Sequence, residues 1–250
     1  MLNIIPIPAF QDNYIWLIEN GTHAAVVDPG DAAPVIAVLK ERNLKLSSIL
    51  ITHHHSDHIG GVDALIADFS PQVYASQKEQ YTFQHIPVHD SQNIHIQELN
   101  LSLNVMDVGG HTLGHVAYYG ANSLFCGDAL FGGGCGRLFE GTPAQMFASL
   151  QNIAKLPANT AVYCAHEYTE RNLQFAKLVE ENNPALIERI SVARSLREAL
   201  LPTIPSSIKL ELATNPFLRC NSPAIISALD LQDQDEIEVF TALRRMRNQF

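Results

Sequence analysis

Cysteine is scarce in this chain. Only Cys126, Cys135, Cys164 and Cys220 occur in 250 residues, and no two form a Cys-x-x-Cys pair. That spacing excludes a zinc finger, and a chain of this length has no need of disulfide staples. The four read as reduced, buried thiols of a cytosolic protein. No run approaches the roughly 18 apolar residues that a membrane span requires. The first ten residues carry no basic stretch and are interrupted by Pro6 and Pro8, so a secretory leader is not expected. Positive charge is short as well: 16 Lys and Arg stand against 26 Asp and Glu, a formal net charge of −10. This excludes a general nucleic-acid binder. An anionic substrate must then be met by a local basic cluster. There is no internal repeat, low-complexity tract or long linker.

An apolar content of 46% suits one large domain, or one domain with a smaller appendage. Asn13 to Glu19 and Ala24 to Asp28 read as strands joined by an Asn20-Gly21 hairpin turn. Asp31 caps a helix running to about Asn43. A strand from Ser47 to Thr52 follows, then a helix from about Gly61 to Phe69 and a short strand from Gln72 to Ala75. Ser76 to Gln92 reads as a loop around Pro87. Further strands are expected over Leu99 to Val108, Val116 to Tyr119, Ser123 to Cys126 and Thr160 to Cys164, with a helix from Pro143 to Leu156. From about Glu167 strand signals stop. Thr169 to Glu181, Ala185 to Leu200, Pro223 to Leu229 and Asp233 to Asn248 all read helical. The chain is therefore α+β, a β-rich body over residues 1–166 with a helical domain over 167–250.

The most informative stretch is Thr52-His53-His54-His55-Ser56-Asp57-His58. It follows the apolar run Ile49-Leu50-Ile51 and precedes Gly60-Gly61. Three histidines in a row suit neither a helix nor a core. Imidazole nitrogen and carboxylate oxygen are the usual ligands of zinc and similar ions. Later strands end at Gly110-His111, Gly127-Asp128 and Ala165-His166, and strand ends in packed sheets lie along one edge. Together these segments offer seven ligand side chains: His53, His55, Asp57, His58, His111, Asp128 and His166. Catalytic zinc takes about three protein ligands plus water, so seven suit two ions that share a carboxylate. If Asp128 bridges, each ion has four protein ligands, and a bridging hydroxide becomes available at neutral pH.

At these residues the chain resembles the metallo-β-lactamase superfamily, and within it the glyoxalase II, or hydroxyacylglutathione hydrolase, family. The resemblance rests on Thr52 to His58, Gly110-His111-Thr112 with Gly114-His115, and Phe125 to Asp128. It extends to Gly134 to Thr142, Cys164 to Thr169, Asn215-Pro216-Phe217 and the terminal Arg244 to Phe250. It implies an αββα sandwich followed by a helical substrate-binding domain. It implies one ion on His53, His55 and His111 and a second on Asp57, His58 and His166, with Asp128 between them. The ions are usually written as zinc in this family, with iron and manganese also accepted. The implied reaction is hydrolysis of S-(2-hydroxyacyl)glutathione, chiefly S-lactoylglutathione, to glutathione and D-lactate, a step of methylglyoxal removal in the cytoplasm. The expected protein is a monomer without membrane or nucleic-acid partners.

A thioester releases a thiolate, which departs without protonation, so no general acid is needed. Asp57 is the expected catalytic residue, orienting the attacking hydroxide. The resemblance points to Arg137, Tyr168, Arg244 and Arg247 for the carboxylates of glutathione. Arg244 and Arg247 lie three apart on a helix and so share a face. Phe139 stands where some relatives have Tyr, and Gly109 where a Pro is often found. His115 reads as a structural histidine and Asp28 as a partner of a ligand imidazole. His54 is expected to point away from the metals, and His23, His85, His89 and His95 carry no site pattern. Rival readings are a lactonase or β-lactamase on the same metal machinery and a persulfide dioxygenase with a single iron.

Overall fold

The first strand, β1 (Asn3–Ala9), pairs antiparallel with β2 (Asn13–Glu19), from Asn3 opposite Glu19 to Ala9 opposite Asn13. Pro6 and Pro8 obscure this strand in the sequence. They are tolerated because β1 is an edge strand, where a missing N–H breaks no ladder. The computed structural model describes residues 2–250. They pack as two compact units, one of residues 2–108 and 112–127, the other of residues 109–111 and 128–250.

In the first unit, β3 (His23–Val27) joins β2 through the expected turn, where Asn20 Oδ1 accepts from the Thr22 and His23 amides. The sheet then becomes parallel, which requires crossover connections. Helix α1 (Ala32–Glu41) leads to β4 (Lys45–Leu50), and α2 (Ser56–Ile59) with α3 (Val62–Phe69) leads to β5 (Gln72–Ser76). The segment expected to be loop contains a sixth strand, β6 (Ile86–Val88), parallel to β5. Three residues are too few to show a period. Asp31 caps α1 as expected, accepting from the Ala33 amide, a contribution of about 1 kcal/mol. Val35 and Leu39 of α1, Val62 and Leu65 of α3, and Ile15, Leu17, Val26 and Ile49 of the sheet form one core. Full burial of each such leucine or isoleucine contributes about 1.5–3 kcal/mol.

The same unit holds an antiparallel meander: β7 (Asn93–Ile96), β8 (Leu101–Asp107), β9 (Val116–Gly120) and β10 (Ser123–Gly127). In β8, Leu101, Leu103 and Val105 are buried while Ser102 and Asn104 are exposed, the alternation read from the sequence. Tyr118 of β9 is fully buried and donates its hydroxyl to the carbonyls of Ile51 and Tyr74, at 2.9 and 3.2 Å. The Val116 amide donates to the Thr52 carbonyl at 2.9 Å. The meander thus grips the chain just where β4 runs out into the histidines.

The second unit opens on a hairpin, β11 (Leu130–Phe131) with β12 (Gly134–Cys135). Helix α4 (Pro143–Ala154) starts on a Thr142–Gln145 capping box. Then come β13 (Ala161–Cys164), α5 (Thr169–Val179), α6 (Pro184–Glu198), β14 (Ser206–Ser207), α7 (Ile208–Thr214), α8 (Pro223–Leu229) and α9 (Glu236–Gln249). Two of these correct the sequence reading. Strands do not cease at Glu167, since β14 pairs antiparallel with β13, and α7 lies in a stretch without helical pattern. Both are too short to carry periodicity. Phe217 anchors the helical core, with Phe175 and Phe240 ring centroids at 6.0 and 5.6 Å.

Packing divides the chain elsewhere than the change of texture at 167. Residues 109–111 pack with residues 128–250. The Phe139 and Glu140 amides donate to the His111 carbonyl, and Ser149 Oγ donates to the Gly109 carbonyl at 2.7 Å. That bond secures the position where Gly109 replaces an expected proline. Gly110 has φ 151°, and a Cβ there would lie 2.7 Å from Met146 Cβ, so only glycine fits.

Candidate metal centre

In the first unit the histidine-rich turn leaves β4 in an extended conformation, and His55, still extended, stands at the N-cap of α2. Residues two apart in extended chain point to the same side. His53 and His55 do so, with His53 Nε2 at 3.1 Å from His55 Nδ1. Asp57 and His58 follow on α2, with His58 Nε2 at 3.4 Å from Asp57 Oδ2. The turn can approach the loop before α1 so closely only because residue 30 is glycine. A Cβ there would lie 1.8 Å from the Asp57 carbonyl oxygen.

A chain of hydrogen bonds sets which nitrogen each imidazole presents. Asp28 is 4% exposed. It accepts from the Thr52 amide at 2.8 Å, from Thr52 Oγ1 at 2.7 Å and from His58 Nδ1 at 3.0 Å. A carboxylate only accepts, so His58 carries its proton on Nδ1 and presents a bare Nε2. Because the Thr52 hydroxyl donates to Asp28, it accepts from His53 Nδ1 at 3.1 Å, which leaves Nε2 of His53 bare too. Ligand atoms of Asp28, His53 and His58 lie within 4.8 Å of one another. Both Asp28 oxygens are thus engaged by Thr52 and His58, the geometry of a carboxylate that orients an imidazole.

In the second unit His111, Asp128 and His166 come together. His111 is held at both nitrogens. Its Nδ1 donates to the Arg137 carbonyl at 2.7 Å, and Nε2 faces Asp128 Oδ2 at 3.4 Å. The other oxygen, Asp128 Oδ1, faces His166 Nε2 at 3.3 Å. One carboxylate therefore offers each oxygen to a different imidazole, as a bridging ligand must.

The distances discriminate between a hydrogen-bonded cluster and a metal-ligand set. Separations of 3.3 to 3.4 Å between Asp128, His111 and His166 exceed the range of about 2.7–3.2 Å for good N–H···O bonds. Two ligand atoms about 2.0–2.1 Å from one tetrahedral ion stand roughly 3.3 Å apart. The donor set is nitrogen and oxygen, with no thiolate, and it fits a divalent cation. His53, His58, His111, Asp128 and His166 are all buried. Burial of so many ionisable groups is costly unless a charge of opposite sign compensates.

The expected substrate residues all lie in the second unit. Arg137 is exposed, with its guanidinium carbon 5.6 Å from the Phe139 centroid. Phe139 is 61% exposed and meets the His111 ring edge-on at 5.2 Å. In place of a tyrosine hydroxyl it supplies a platform for Arg137. Tyr168 stacks on His166 at 4.7 Å and 7°. The arginine pair corrects the sequence reading in one respect, because the two guanidiniums are not equally available. Arg244 is 6% exposed, donates to the Cys135 carbonyl at 2.8 Å and lies 5.1 Å over the Phe217 ring. Arg247 is half-buried and bonds Asn172 Oδ1 through Nε and Nη2. Burial, then repulsion from Arg244 and Arg171, holds the Arg247 pKa below its ordinary value.

The His115 ring stacks on His53 at 4.6 Å. His54 turns to Glu79 Oε2 at 3.3 Å. The four cysteines are buried and outside any disulfide, and burial pushes the thiols of Cys135, Cys164 and Cys220 up. Sequence reasoning missed Asn13, whose Nδ2 donates to Asp57 Oδ2 at 3.0 Å. A buried amide at the head of an apolar strand was the only signal. It also missed Glu79 and Asn172, which sit in an unpatterned loop and an ordinary helix.

The metallo-β-lactamase superfamily model matches residues 10–166, and the model for the hydroxyacylglutathione hydrolase C-terminus matches residues 167–250. A hydroxyacylglutathione hydrolase of Methylobacillus flagellatus is 58% identical over 250 residues, covering 100% of both chains. One of Dechloromonas aromatica is 51% identical, again over 100% of both. Among solved structures, the BLEG-1 B3 metallo-β-lactamase is similar with TM-score 0.64 and 28% identity, over 87% of this chain and 99% of that one. ETHE1 from Myxococcus xanthus shares the fold, with TM-score 0.67 and 21% identity over 99% of this chain and 98% of that one. The αββα frame and its histidine and aspartate ligands at strand ends thus define a metallo-β-lactamase-type protein with a dinuclear divalent metal site. Within that superfamily the chain belongs to the hydroxyacylglutathione hydrolase, or glyoxalase II, family.

Proposed function

We propose that this chain hydrolyses S-(2-hydroxyacyl)glutathione, chiefly S-lactoylglutathione, to glutathione and D-lactate, as a step in methylglyoxal removal. The observation that carries the reading is Asp128, with one oxygen toward His111 and the other toward His166. His53, His55 and His111 would hold one ion, and Asp57, His58 and His166 the second, with Asp128 shared. Ligand chemistry and family membership support this assignment. Zinc is the proposed metal, and an all nitrogen and oxygen set also accepts iron or manganese. Bound divalent ions supply an activated water at neutral pH and polarise the acyl carbonyl.

The protein's own part is orientation. Asp57, fixed by Asn13, aligns the attacking water and takes up its proton. The water oxygen adds to the acyl carbon, the C–S bond breaks, and the thiolate leaves without a general acid. Arg137, Tyr168 and Arg247 are the proposed contacts for the glutathione end, with Arg244 of α9 supporting them through its bond to the Cys135 carbonyl. On this reading residues 1–166 carry the metals together with the Arg137 contact, and 167–250 carry the other substrate contacts. Among the described residues no helix is long and apolar enough to cross a membrane. We place the chain in the cytoplasm, acting as a monomer.

The test combines metal analysis with a hydrolysis assay on S-lactoylglutathione. The expected result is two metal equivalents per chain and thiol release in step with substrate loss. A single iron per chain with no hydrolysis would overturn the reading in favour of an iron dioxygenase.

A further inference from the structure

The hairpin from Ala129 to Gly136 joins the substrate and metal sides of the second unit. At its open end Gly136 N donates to the Ala129 carbonyl, and the flanking residues are Asp128 and Arg137. These two grip the His111 ring from both sides, Asp128 at Nε2 and Arg137 through its carbonyl at Nδ1. At the closed end, Gly133 turns with φ 67°. A two-residue-per-strand hairpin cannot hold its own shape in water. Something must fix it, and the helical segment does so almost bond by bond.

Asn215 Nδ2 donates to the Phe131 and Gly134 carbonyls, at 3.3 and 2.9 Å. Asn172 Nδ2 donates to the Gly132 carbonyl at 3.1 Å, and Arg244 to that of Cys135. These fasteners are all donors. Glu211, fully buried, is the acceptor: its Oε2 takes the Gly133 amide at 2.9 Å and Asn215 Nδ2 at 3.0 Å. Its Oε1 takes Arg189 Nη2 at 2.5 Å and the Ser206 hydroxyl. Arg189 is itself buried and anchored on Thr214 at 2.6 Å. The carboxylate thus connects a buried cation to the turn of the hairpin and also orients the asparagine that holds both strands.

We propose that Glu211, backed by Arg189, is a positioning residue for the metal centre: it fixes the closed end of the hairpin so that Asp128 and His111 stand in ligand geometry. This rests on the reading of Asp128 as a metal ligand. A glutamine at 211 has the same shape but one acceptor fewer. Its NH2 must oppose either the Gly133 amide or the Arg189 guanidinium, and both are donors. Removing the cation as well resolves the conflict. With Met at 189, the glutamine oxygen can stay on Gly133 and Asn215 while its NH2 donates to the Ser206 hydroxyl.

The experiment compares Glu211→Gln with the double variant Glu211→Gln and Arg189→Met in the full chain. Zinc affinity is read by chelator competition without substrate, then kcat and KM at saturating zinc. Glu211→Gln should weaken zinc binding by about 10-fold or more and lower kcat, and the double variant should regain most of both. Native zinc affinity and kcat in Glu211→Gln would overturn the proposal. So would a double variant that folds yet binds zinc no better than the single one. Should Glu211→Gln fail to fold, the double variant decides alone: native zinc affinity supports the proposal, and lost affinity overturns it. Absence of thioester hydrolysis in the native chain would sink the functional reading while leaving the zinc measurement valid.

Discussion

Asp28→Asn probes how the fold chooses the metal-facing nitrogen of His58. Asp28 has φ 52°, a left-handed conformation that Asn tolerates as well as Asp, so the backbone need not change. The new amide can keep its oxygen on the Thr52 amide. Its NH2 then faces His58 Nδ1, now 3.0 Å from a carboxylate oxygen. Two donors cannot share that bond, so Nδ1 becomes the acceptor and the imidazole proton moves to Nε2. A protonated Nε2 cannot bind a metal. Outer partners of this kind are worth about 10–100-fold in metal affinity, or roughly 1.4–2.8 kcal/mol. The apo fold also loses a charge-assisted bond, about 1.5–3 kcal/mol. Stepwise chelator competition on the loaded protein is the assay, with a melting curve of the apo protein beside it. Thr52 Oγ1 donates to the same Asp28 oxygen, so the new NH2 also turns that hydroxyl to donate to His53 Nδ1, and both ions of the proposed site should weaken by at least an order of magnitude. A folded variant that keeps native affinity for both ions would refute the tautomer argument.

Arg247→Ala should raise KM for S-lactoylglutathione by about 10-fold, the worth of one charge-assisted bond, and leave kcat and metal content unchanged. Steady-state kinetics with metal analysis checks it. Arg244→Ala should instead lower the melting temperature as well, because the Cys135 carbonyl loses its buried donor. At Glu180, burial works to raise the carboxyl pKa. Hydrogen bonds from Arg219, Asn183 and Ser222 outweigh it and hold the group below its ordinary 4.5. A depressed folded value means the stabilisation is complete above 4.5 and fades as pH falls through the folded value. At neutral pH Glu180→Gln should cost about 1 kcal/mol, or roughly 2–4 °C in Tm for a chain of this size. Thermal scans should show native and variant chains converging in acid. A constant gap down to about pH 2 would contradict the assignment.

The proposed metal ligands could be picked out in the sequence because each follows a strand whose period announces its end. β4 and β10 carry apolar runs, and Gly110-His111 follows the alternating β8. Asp28 was legible for the same reason. The partners that orient Asp57 and the hairpin were not. Asn13 and Asn172 look like any polar residue in a strand or helix, and only the folded chain shows what lies beside their amides. Glu211 is harder still. A charged residue in a helical stretch is ordinarily solvated, and nothing nearby in sequence reveals the cation at Arg189 that makes its burial tolerable. The arginine pair shows the reverse limit. Helical spacing correctly put Arg244 and Arg247 on α9, yet it could not show that the hairpin carbonyls would claim the first of them.

Three of the proposed ligand imidazoles are fixed by three different acceptors at Nδ1. His53 uses the Thr52 hydroxyl, His58 the Asp28 carboxylate and His111 the Arg137 carbonyl. All three place the ring proton on Nδ1 and the lone pair on Nε2, but they differ in what a perturbation would do. Loss of the carboxylate or hydroxyl changes the proton's place on a ring that stays put. Movement of the Arg137 carbonyl shifts the ring itself, because that carbonyl rides on the hairpin next to Asp128. The metal side of the second unit is therefore only as rigid as the hairpin, and the hairpin is fastened by α5, α7 and α9 together with Asn215. The helical segment that confers specificity for the glutathione thioester on this reading is for that reason also part of what holds the proposed metal ligands His111 and Asp128 in place.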